Sequence, residues 1–388
     1  ALQLLGGPGS IIGNNMPWTF GGTSVLGLFW RESGKLNDTL RKMEECLPYY
    51  LKLTRGHGAG ADSVFRAEAQ LMRGDDTNAE ILCHKALYDA RESRQTGLCI
   101  CAEQVLARIA VMRGDVNGYF TAVKNIRGYA EESSDLYVQR MADLCMSVIY
   151  ASLGFTDNYA KWLYDMEGIK QTLYAPAVPY AQILHLESLL AKKHYNELYG
   201  VSQPLMHEAE EMNYMLPQVY HCVFLAVAKR NNGELSAAKE YLKEALARAI
   251  PDGVYLPFAQ QECMEEFLAE VQVGISAQLI ADALPETRAS EYSEAVLGVS
   301  LSRSFAALKA LCRRQRNGRE VIKKAVLRTK SPLTPREREI AHLAGKRLSA
   351  KEIAEELYIA ESTVNSALKS IFGKLDIHSK TELKKKEF

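Results

Sequence analysis

The sequence predicts an all-α protein: an α-solenoid of helical hairpins followed by a short multi-helix domain at the C-terminal end. Three observations carry this. Helix-ending segments recur at a period of 40 residues, each is followed by an apolar stripe at helical spacing, and three helix-start signatures crowd between residues 334 and 382. Strand signals, in the form of alternating β-branched residues, are nearly absent.

The repeat comes first because it decides the fold. Similar turns close at Gly34 (WRESGKL), Gly74 (LMRGDDT), Gly114 (VMRGDVN), Gly154 (ASLGFTD) and Gly233 (KRNNGEL), with His194 (AKKHYNE) in the fifth slot, at intervals of 40, 40, 40, 40 and 39. Glycine there supplies the left-handed backbone that ends a helix. Seven residues before each turn stand Gly27, Ala67, Ala107, Ser147, Glu187 and Ala226, five of them small, as a close helix crossing requires. After each turn, positions +5, +9 and +12 form a buried stripe: Thr39/Met43/Cys46, Ala79/Cys83/Ala86, Tyr119/Val123/Ile126, Tyr159/Leu163/Met166, Tyr199/Gln203/Met206 and Ala238/Leu242/Ala245. A hairpin of this kind cannot bury its apolar face alone, so stacked copies share one core. The small-residue slot, the turn glycine and Ala79 and Ala238 resemble the tetratricopeptide pattern, with a period longer than the usual 34.

The array is expected over residues 21–285, after an N-terminal lead-in at 1–20. Residues 254–273 and 289–313 read as further helices that cap it. Residues 314–331 (RQRNGREVIKKAVLRTKS) are basic, contain a glycine and few large apolar residues, and read as a linker, so that 286–331 is capping helix plus basic linker and 332–388 is the terminal domain.

Composition limits the alternatives. With 47% hydrophobic and 24% charged residues among 388, the chain has material for a sizeable core and is neither disordered nor fibrous. No run of 18 apolar residues occurs, and Ala1–Ser10 lacks the basic residues that open a secretory signal, so a cytoplasmic protein without a membrane partner is expected. Ala1 in place of an initiating Met points to the C-terminal part of something longer. Cysteines 46, 83, 99, 101, 145, 222, 263 and 312 are scattered in a way that suits buried reduced thiols better than disulfides or zinc. The net charge of zero hides an asymmetry: residues 303–388 carry 21 Lys and Arg against 10 Asp and Glu, and residues 1–302 carry 26 against 37. A basic tail on an acidic body points to a polyanionic partner for the tail.

Thr334-Pro335-Arg336-Glu337, Ser349-Ala350-Lys351-Glu352 and Ser379-Lys380-Thr381-Glu382 are each capping boxes, predicting helices at 335–345, 350–357, about 361–374 and from 380. Leu357-Tyr358-Ile359-Ala360 leaves room only for a tight turn, so the second and third helices must cross steeply, with Ala354, Ile359, Val364 and Leu368 packing the crossing. This is a helix-turn-helix arrangement. Residues 333–383 resemble the LuxR/FixJ-type helix-turn-helix of bacterial transcription regulators, on the landmarks Leu333-Thr334-Pro335-Arg336-Glu337, Lys351-Glu352-Ile353-Ala354, Ser362-Thr363-Val364 and Ile371-Phe372-Gly373-Lys374-Leu375. Helical repeats ahead of such a domain are similar to the large MalT-like regulators. That resemblance implies an ATP-binding switch module upstream and a solenoid that senses an effector. No G-x-x-x-x-G-K-[ST] occurs in these residues, so no cofactor is expected in this chain.

The resemblance assigns base reading to Asn365, Ser366 and Lys369 and backbone contact to Lys351, Ser362, Thr363 and Lys374, with double-stranded promoter DNA as partner, RNA polymerase as a further one, and a dimer on DNA formed through the helix from Ser379. Departures are Asn365 and Ala367 where relatives carry Lys and His, Tyr358 where the turn usually has Gly or Asn, and Ala360 where a capping Ser is common. Tyrosines 174, 180, 195, 199, 214 and 220 crowd the middle of the array, where rings either pack helices or stack on a small-molecule effector. A protein effector is the other candidate. His207-Glu208-Ala209-Glu210-Glu211 stops short of a zinc-protease motif, and no catalytic set stands out, so the chain is expected not to be an enzyme. Two functions fit: a sequence-specific transcription regulator, acting as an activator, or an interaction scaffold whose terminal domain binds protein.

Overall fold

The computed structural model describes residues 26, 29–173, 175–271, 294–330, 333–375 and 377. Among these every regular element is helical. The chain divides into two compact units, with the boundary between Arg319 and Glu320.

In the first unit the helices are α1 (Leu36–Thr54), α2 (Ala61–Arg73), α3 (Asp76–Glu92), α4 (Thr96–Arg113), α5 (Val116–Glu132), α6 (Leu136–Leu153), α7 (Met166–Thr172), α8 (Val178–Ala191), α9 (Tyr195–Glu211), α10 (Met215–Asn231), α11 (Leu235–Ala249), α12 (Leu256–Ala259) and α13 (Met264–Val271). α2 packs on α3, α4 on α5 and α10 on α11, while α2, α4, α6, α8 and α10 stack on one another as the inner row. The turn glycines Gly34, Gly74, Gly114, Gly154 and Gly233 all have φ between 72° and 82°, and the small residues Ala67, Ala107, Ser147 and Ala226 are buried at the crossings. Gly27 lies outside the described residues. The stripes Ala79/Cys83/Ala86, Tyr119/Val123/Ile126 and Ala238/Leu242/Ala245 are buried as expected. On α1 the stripe is looser, with Cys46 exposed.

Two repeats depart from the pattern. In the fifth, the left-handed residue is Lys193 (φ 61°), one position before His194. Its amide and that of His194 bond Leu190 and Leu189 O, as Gly233 and Glu234 bond Arg230 and Lys229 O. The intervals are therefore 40, 40, 40, 39 and 40. With this register, +5, +9 and +12 become Leu198, Ser202 and Leu205, all buried, whereas Tyr199 and Met206 are half-buried and Gln203 is exposed. In the fourth repeat the stripe residues Tyr159 and Leu163 are buried, but not on one helix. Two 3₁₀ turns (Thr156–Asn158 and Lys161–Tyr164) precede the short α7, whose start is fixed by the Asp165 carboxylate accepting from the Glu167 and Gly168 amides. Asn, Asp and aromatic residues over 155–165 favour caps and turns over helix interior.

The array closes on itself. The Asp252 carboxylate accepts from Trp30 Nε1 at 2.7 Å and from the amides of Gly34 and Leu36 at 2.6 and 3.0 Å. The Tyr255 amide donates to Met72 O and the Met215 amide to Trp30 O. The first and last hairpins thus hydrogen-bond across more than 200 residues of sequence, which a straight solenoid would not allow. The capping region is two short helices, α12 and α13, in place of one over 254–273.

The residues expected as a linker are helical. α14 runs from Glu294 to Lys330 without interruption. Its residues up to Arg319 lie across the C-terminal ends of α2, α4 and α6: Leu311 packs on Gly74, Arg314 Nη1 donates to Gly74 O, Gly318 touches the Val111 and Met112 carbonyls, and Arg319 Nε donates to Ser152 O at 2.9 Å. Helix C-termini are negative ends of peptide dipoles and suit arginine. Gly318 is required at its position because a Cβ would sit 2.1 Å from Val111 O.

All eight cysteines are free, six of them buried. No described helix is long and apolar enough to cross a membrane.

Candidate nucleic-acid interface

The second unit holds α15 (Pro335–Gly345), α16 (Ala350–Leu357) and α17 (Glu361–Leu375). Both expected capping boxes within the described residues form reciprocally. The Thr334 amide donates to Glu337 Oε2 at 2.8 Å and the Glu337 amide to Thr334 Oγ1 at 3.3 Å. The Ser349 amide donates to Glu352 Oε2 at 2.7 Å and the Glu352 amide to Ser349 Oγ at 3.2 Å. The third box and the fourth helix from Ser379 lie outside the described residues.

Between α16 and α17, Tyr358 takes φ 54°, ψ 47° with its side chain 95% exposed. A tyrosine in this region carries strain of about 1–2 kcal/mol that glycine would not. The Ile359 amide reaches back to Ala354 O at 3.0 Å, and Arg336 Nη2 donates to Leu357 O at 2.8 Å, so the steep turn is held from both sides. Ala354, Val364, Leu368 and Ile371 join Leu333, Ile340, Ala341 and Ile353 in one apolar core, with Ile359 packed against it.

Burying Val364, Leu368 and Ile371 turns the opposite face of α17 outward. Ser362, Thr363, Asn365, Ser366 and Lys369 are exposed, with 362, 365, 366 and 369 at i, i+3, i+4 and i+7 on one face; Lys351, near the start of α16, is exposed as well. Ala360 has no side-chain oxygen to cap the helix, and its carbonyl accepts from the Thr363 and Val364 amides. Lys374 has a different engagement: its Nζ donates to both Glu337 oxygens at 2.8 and 2.7 Å, and Ser370 Oγ donates to Glu337 Oε1 at 2.8 Å. The Lys374 hydrogen bond above all, then the Thr334 amide and Ser370, pull the Glu337 carboxyl down to about 2. Lys374 therefore ties α17 to α15.

The basic excess lies ahead of the helix-turn-helix. Of the 21 basic residues in 303–388, ten lie in 303–331 against one acidic residue, while 332–375 carry seven against six. The basic excess belongs to α14, where Arg313 and Arg316 pair with Glu265, Arg314 with Asp76 and Arg319 with Glu262.

The tyrosines separate. Tyr180 and Tyr220 are buried in the array, Tyr195, Tyr199 and Tyr214 are half-buried, and Tyr174 lies outside the described residues. Tyr199 and Tyr214 are covered by cations, Lys229 and Arg31 lying 4.4 and 4.5 Å from their ring centres. Tyr180 and Tyr220 instead adjoin a charged set that the sequence reading missed. Counted from the corrected turns, Glu68, Arg108 and Glu187 occupy the same position, six residues before Gly74, Gly114 and Lys193. The signal is charge at one repeat position, beside Ala67 and Ala107 in the second and third repeats, and the one-residue shift of the fifth turn hides its third member.

Short capped helices crossing steeply, with a polar exposed face on the second of the crossed pair and a closed helical array ahead of them, define a helix-turn-helix protein with a repeat-built body. Residues 331–385 match the family model of bacterial regulatory proteins, luxR family, and the chain carries a C-terminal helix-turn-helix domain of that family. The chain is similar to the HTH-type transcriptional regulator MalT of Vibrio campbellii (strain ATCC BAA-1116), 24% identical over an alignment of 326 residues that covers 78% of this chain and 34% of that protein. It is likewise similar to the HTH-type transcriptional regulator MalT of Vibrio parahaemolyticus serotype O3:K6 (strain RIMD 2210633), 25% identical over 323 residues with the same two shares. The chain spans about a third of the length of the curated relatives it matches.

Proposed function

We propose that the chain is part of a DNA-binding transcription regulator in which α17 enters the major groove of promoter DNA and the closed array governs when it does so. The observation that supports this is the exposed face of α17, where Asn365, Ser366 and Lys369 stand clear of the core while Val364, Leu368 and Ile371 hold the helix. Asparagine pairs bidentately with adenine and lysine favours guanine, whereas the hydroxyls of Ser362 and Thr363 at the helix start and Lys351 suit phosphate oxygens. Action as an activator, contact with RNA polymerase, effector sensing by the array and dimerisation through the helix from Ser379 belong to the same reading. A two-fold dimer on DNA reads half-sites about 10 base pairs apart or a multiple of that.

Selection of duplexes from a randomised library, with affinity read by fluorescence anisotropy, tests the assignment. Lys369→Ala is expected to relax preference at one position of the selected site, while Lys351→Ala weakens binding to all sequences alike. Equal and uniform loss for both variants contradicts the assignment. Affinity is expected to fall as salt rises, by about 0.9 log units per log unit of salt for each phosphate contact. An affinity flat in salt, with capture of a protein in place of DNA, would favour the scaffold.

A further inference from the structure

Inside the closed array lies a set of polar groups that the fold leaves without partners. Arg108 is 2% exposed and Glu68 1%, and they stand at equivalent positions of the adjacent stacked helices α4 and α2. Among the described residues, neither Glu68 oxygen and none of Nε, Nη1 and Nη2 of Arg108 makes a hydrogen bond of normal geometry, the Leu26 amide and the Tyr220 hydroxyl lying only loosely toward them, and the two side chains form no close ion pair with each other. Gln104, one helical turn before Arg108 on the same face and fully buried, has neither its amide oxygen nor its nitrogen satisfied. Tyr180, Tyr220 and Glu187 adjoin the guanidinium. A buried guanidinium with unmet donors is among the most expensive features a protein interior can hold. Native interiors satisfy such groups, so three neighbouring residues left open together mark a place that something else completes.

From this geometry we infer that Arg108, Gln104 and Glu68 form the binding site of a small organic carboxylate, which takes the Arg108 guanidinium in a two-pronged hydrogen bond and lies beneath α14. The inference rests on the reading of the array as the effector-responsive part of the regulator, and it names the chemistry of the effector. A guanidinium fork matches the paired oxygens of a carboxylate or a phosphate. The monoanion is favoured because Arg108 has no carboxylate in close ion-pair contact among the described residues, and a second negative charge would face Glu187. Burial, only partly offset by Arg108 and the Leu26 amide, holds the Glu68 carboxyl well above the usual range. Burial thus favours the protonated form of Glu68, which can donate a hydrogen bond to the ligand. Burial also disfavours the charge on Arg108, but Tyr180, Tyr220, Glu68 and Glu187 more than restore it, so the anion-binding group stays charged.

The site touches the helix that continues into the DNA-binding unit. Glu187, beside Arg108, also faces Arg319 of α14, and Gln260 accepts from Tyr220 Oη at 2.9 Å through its side chain and from Arg319 through its carbonyl. An anion on Arg108 competes with Glu187 for that guanidinium and leaves Glu187 to Arg319. Occupancy of the site therefore changes the hold of the array on α14.

Thermal unfolding of the full chain in acetate, succinate, L-glutamate or inorganic phosphate, each against sodium chloride at matched ionic strength, tests this. At least one carboxylate is expected to raise the midpoint in step with the logarithm of its concentration. Arg108→Met is expected to lose that response while unfolding no earlier than the wild type without ligand, since it removes an unpaired buried charge. Gln104→Met is expected to fold and to need at least tenfold more carboxylate for the same shift, and Arg127→Met, at an exposed position, to respond as the wild type does. Absence of any response, a response to phosphate alone, one retained in Arg108→Met, or an Arg108→Met chain that fails to fold together with an unaltered Gln104→Met, each overturns the inference. DNA affinity measured without added anion on the same proteins separates the two readings: Arg108→Met that binds duplex normally but ignores carboxylates in company with the wild type sinks the site alone, whereas failure of every protein to bind DNA sinks the regulator assignment.

Discussion

Gly318→Ala sets two physical effects of opposite sign against each other. Glycine inside a helix costs about 1 kcal/mol relative to alanine, so propensity alone predicts stabilisation. The surroundings predict the reverse: the added Cβ would stand 2.1 Å from Val111 O and 2.6 Å from Met112 O, both backbone atoms that cannot rotate away. Restoring contact to about 3 Å means moving α14 off the end of α4 by nearly 1 Å, and overpacking of this kind costs about 1–3 kcal/mol. The displacement also strains the adjacent Arg319 bond to Ser152 O, made at 2.9 Å. The net expectation is a loss of about 1–2 kcal/mol, or roughly 2 to 6 °C in midpoint for a unit of this size. Guanidinium unfolding followed by the fluorescence of buried Trp30 and half-buried Trp162 measures it. Gly128→Ala is the matched control, since it lies in α5 of the same unit with nothing within 4 Å of the new methyl group; it should gain about 0.5–1 kcal/mol. A Gly318→Ala protein as stable as the wild type or more so would refute the close seating of α14 on the array.

Two further outcomes follow from the second unit. Tyr358→Gly should stabilise it by about 0.5–1 kcal/mol, read as a raised unfolding midpoint, because the residue sits at φ 54° and its side chain is 95% exposed and loses no packing; an unchanged or lowered midpoint would show that the tyrosine is not strained at this turn. Glu337 should give the same unit an acid-sensitive component. Its folded pKa, near 2, lies below the usual 4.5 chiefly because of Lys374, so the stabilisation is complete above about pH 5 and disappears as pH falls toward 2, amounting to about 1 kcal/mol after allowance for solvent screening. Lys374→Met should flatten that decline, and wild-type and variant stability curves running parallel from pH 6 to pH 2.5 would dismiss the pairing.

What the sequence disclosed and what it hid divide along the range of the interactions. Capping boxes and left-handed turn residues are local chemistry, and Thr334/Glu337, Ser349/Glu352 and the five turn glycines behave as their residue types dictate. Tyr358 takes its strained conformation because the fixed length of the turn leaves no alternative. The fifth turn has no glycine to mark its left-handed residue, and the hydrogen-bond pattern places Lys193, one position before His194, there. That one-residue shift assigned Tyr199 and Gln203 to a face held by Leu198 and Ser202, and it broke the alignment of Glu187 with Glu68 and Arg108. Ring closure through Asp252 was beyond reach for another reason. Its three donors lie 216 to 222 residues away, and nothing in the neighbourhood of Asp252 distinguishes it from an ordinary turn aspartate. The exposed face of α17 was legible because burying Val364 and Leu368 fixes it by geometry alone.

Charge gave the right direction for a partly wrong reason. The basic excess of the last 86 residues suggested a polyanion-binding domain, yet residues 332–375 are nearly balanced and the excess sits in α14. Four of the α14 arginines answer acids of the array, Asp76, Glu262 and Glu265, and two also reach carbonyls at the C-terminal ends of α2 and α6. The polyanion that this helix meets is the array itself. A basic helix held by acids and helix ends can be released by competing charge, and Glu187, which adjoins Arg108, also faces Arg319. Among the described residues, the arginines of α14 serve first to hold that helix on the array, and under the proposed reading recognition falls to the polar side chains on the exposed face of α17.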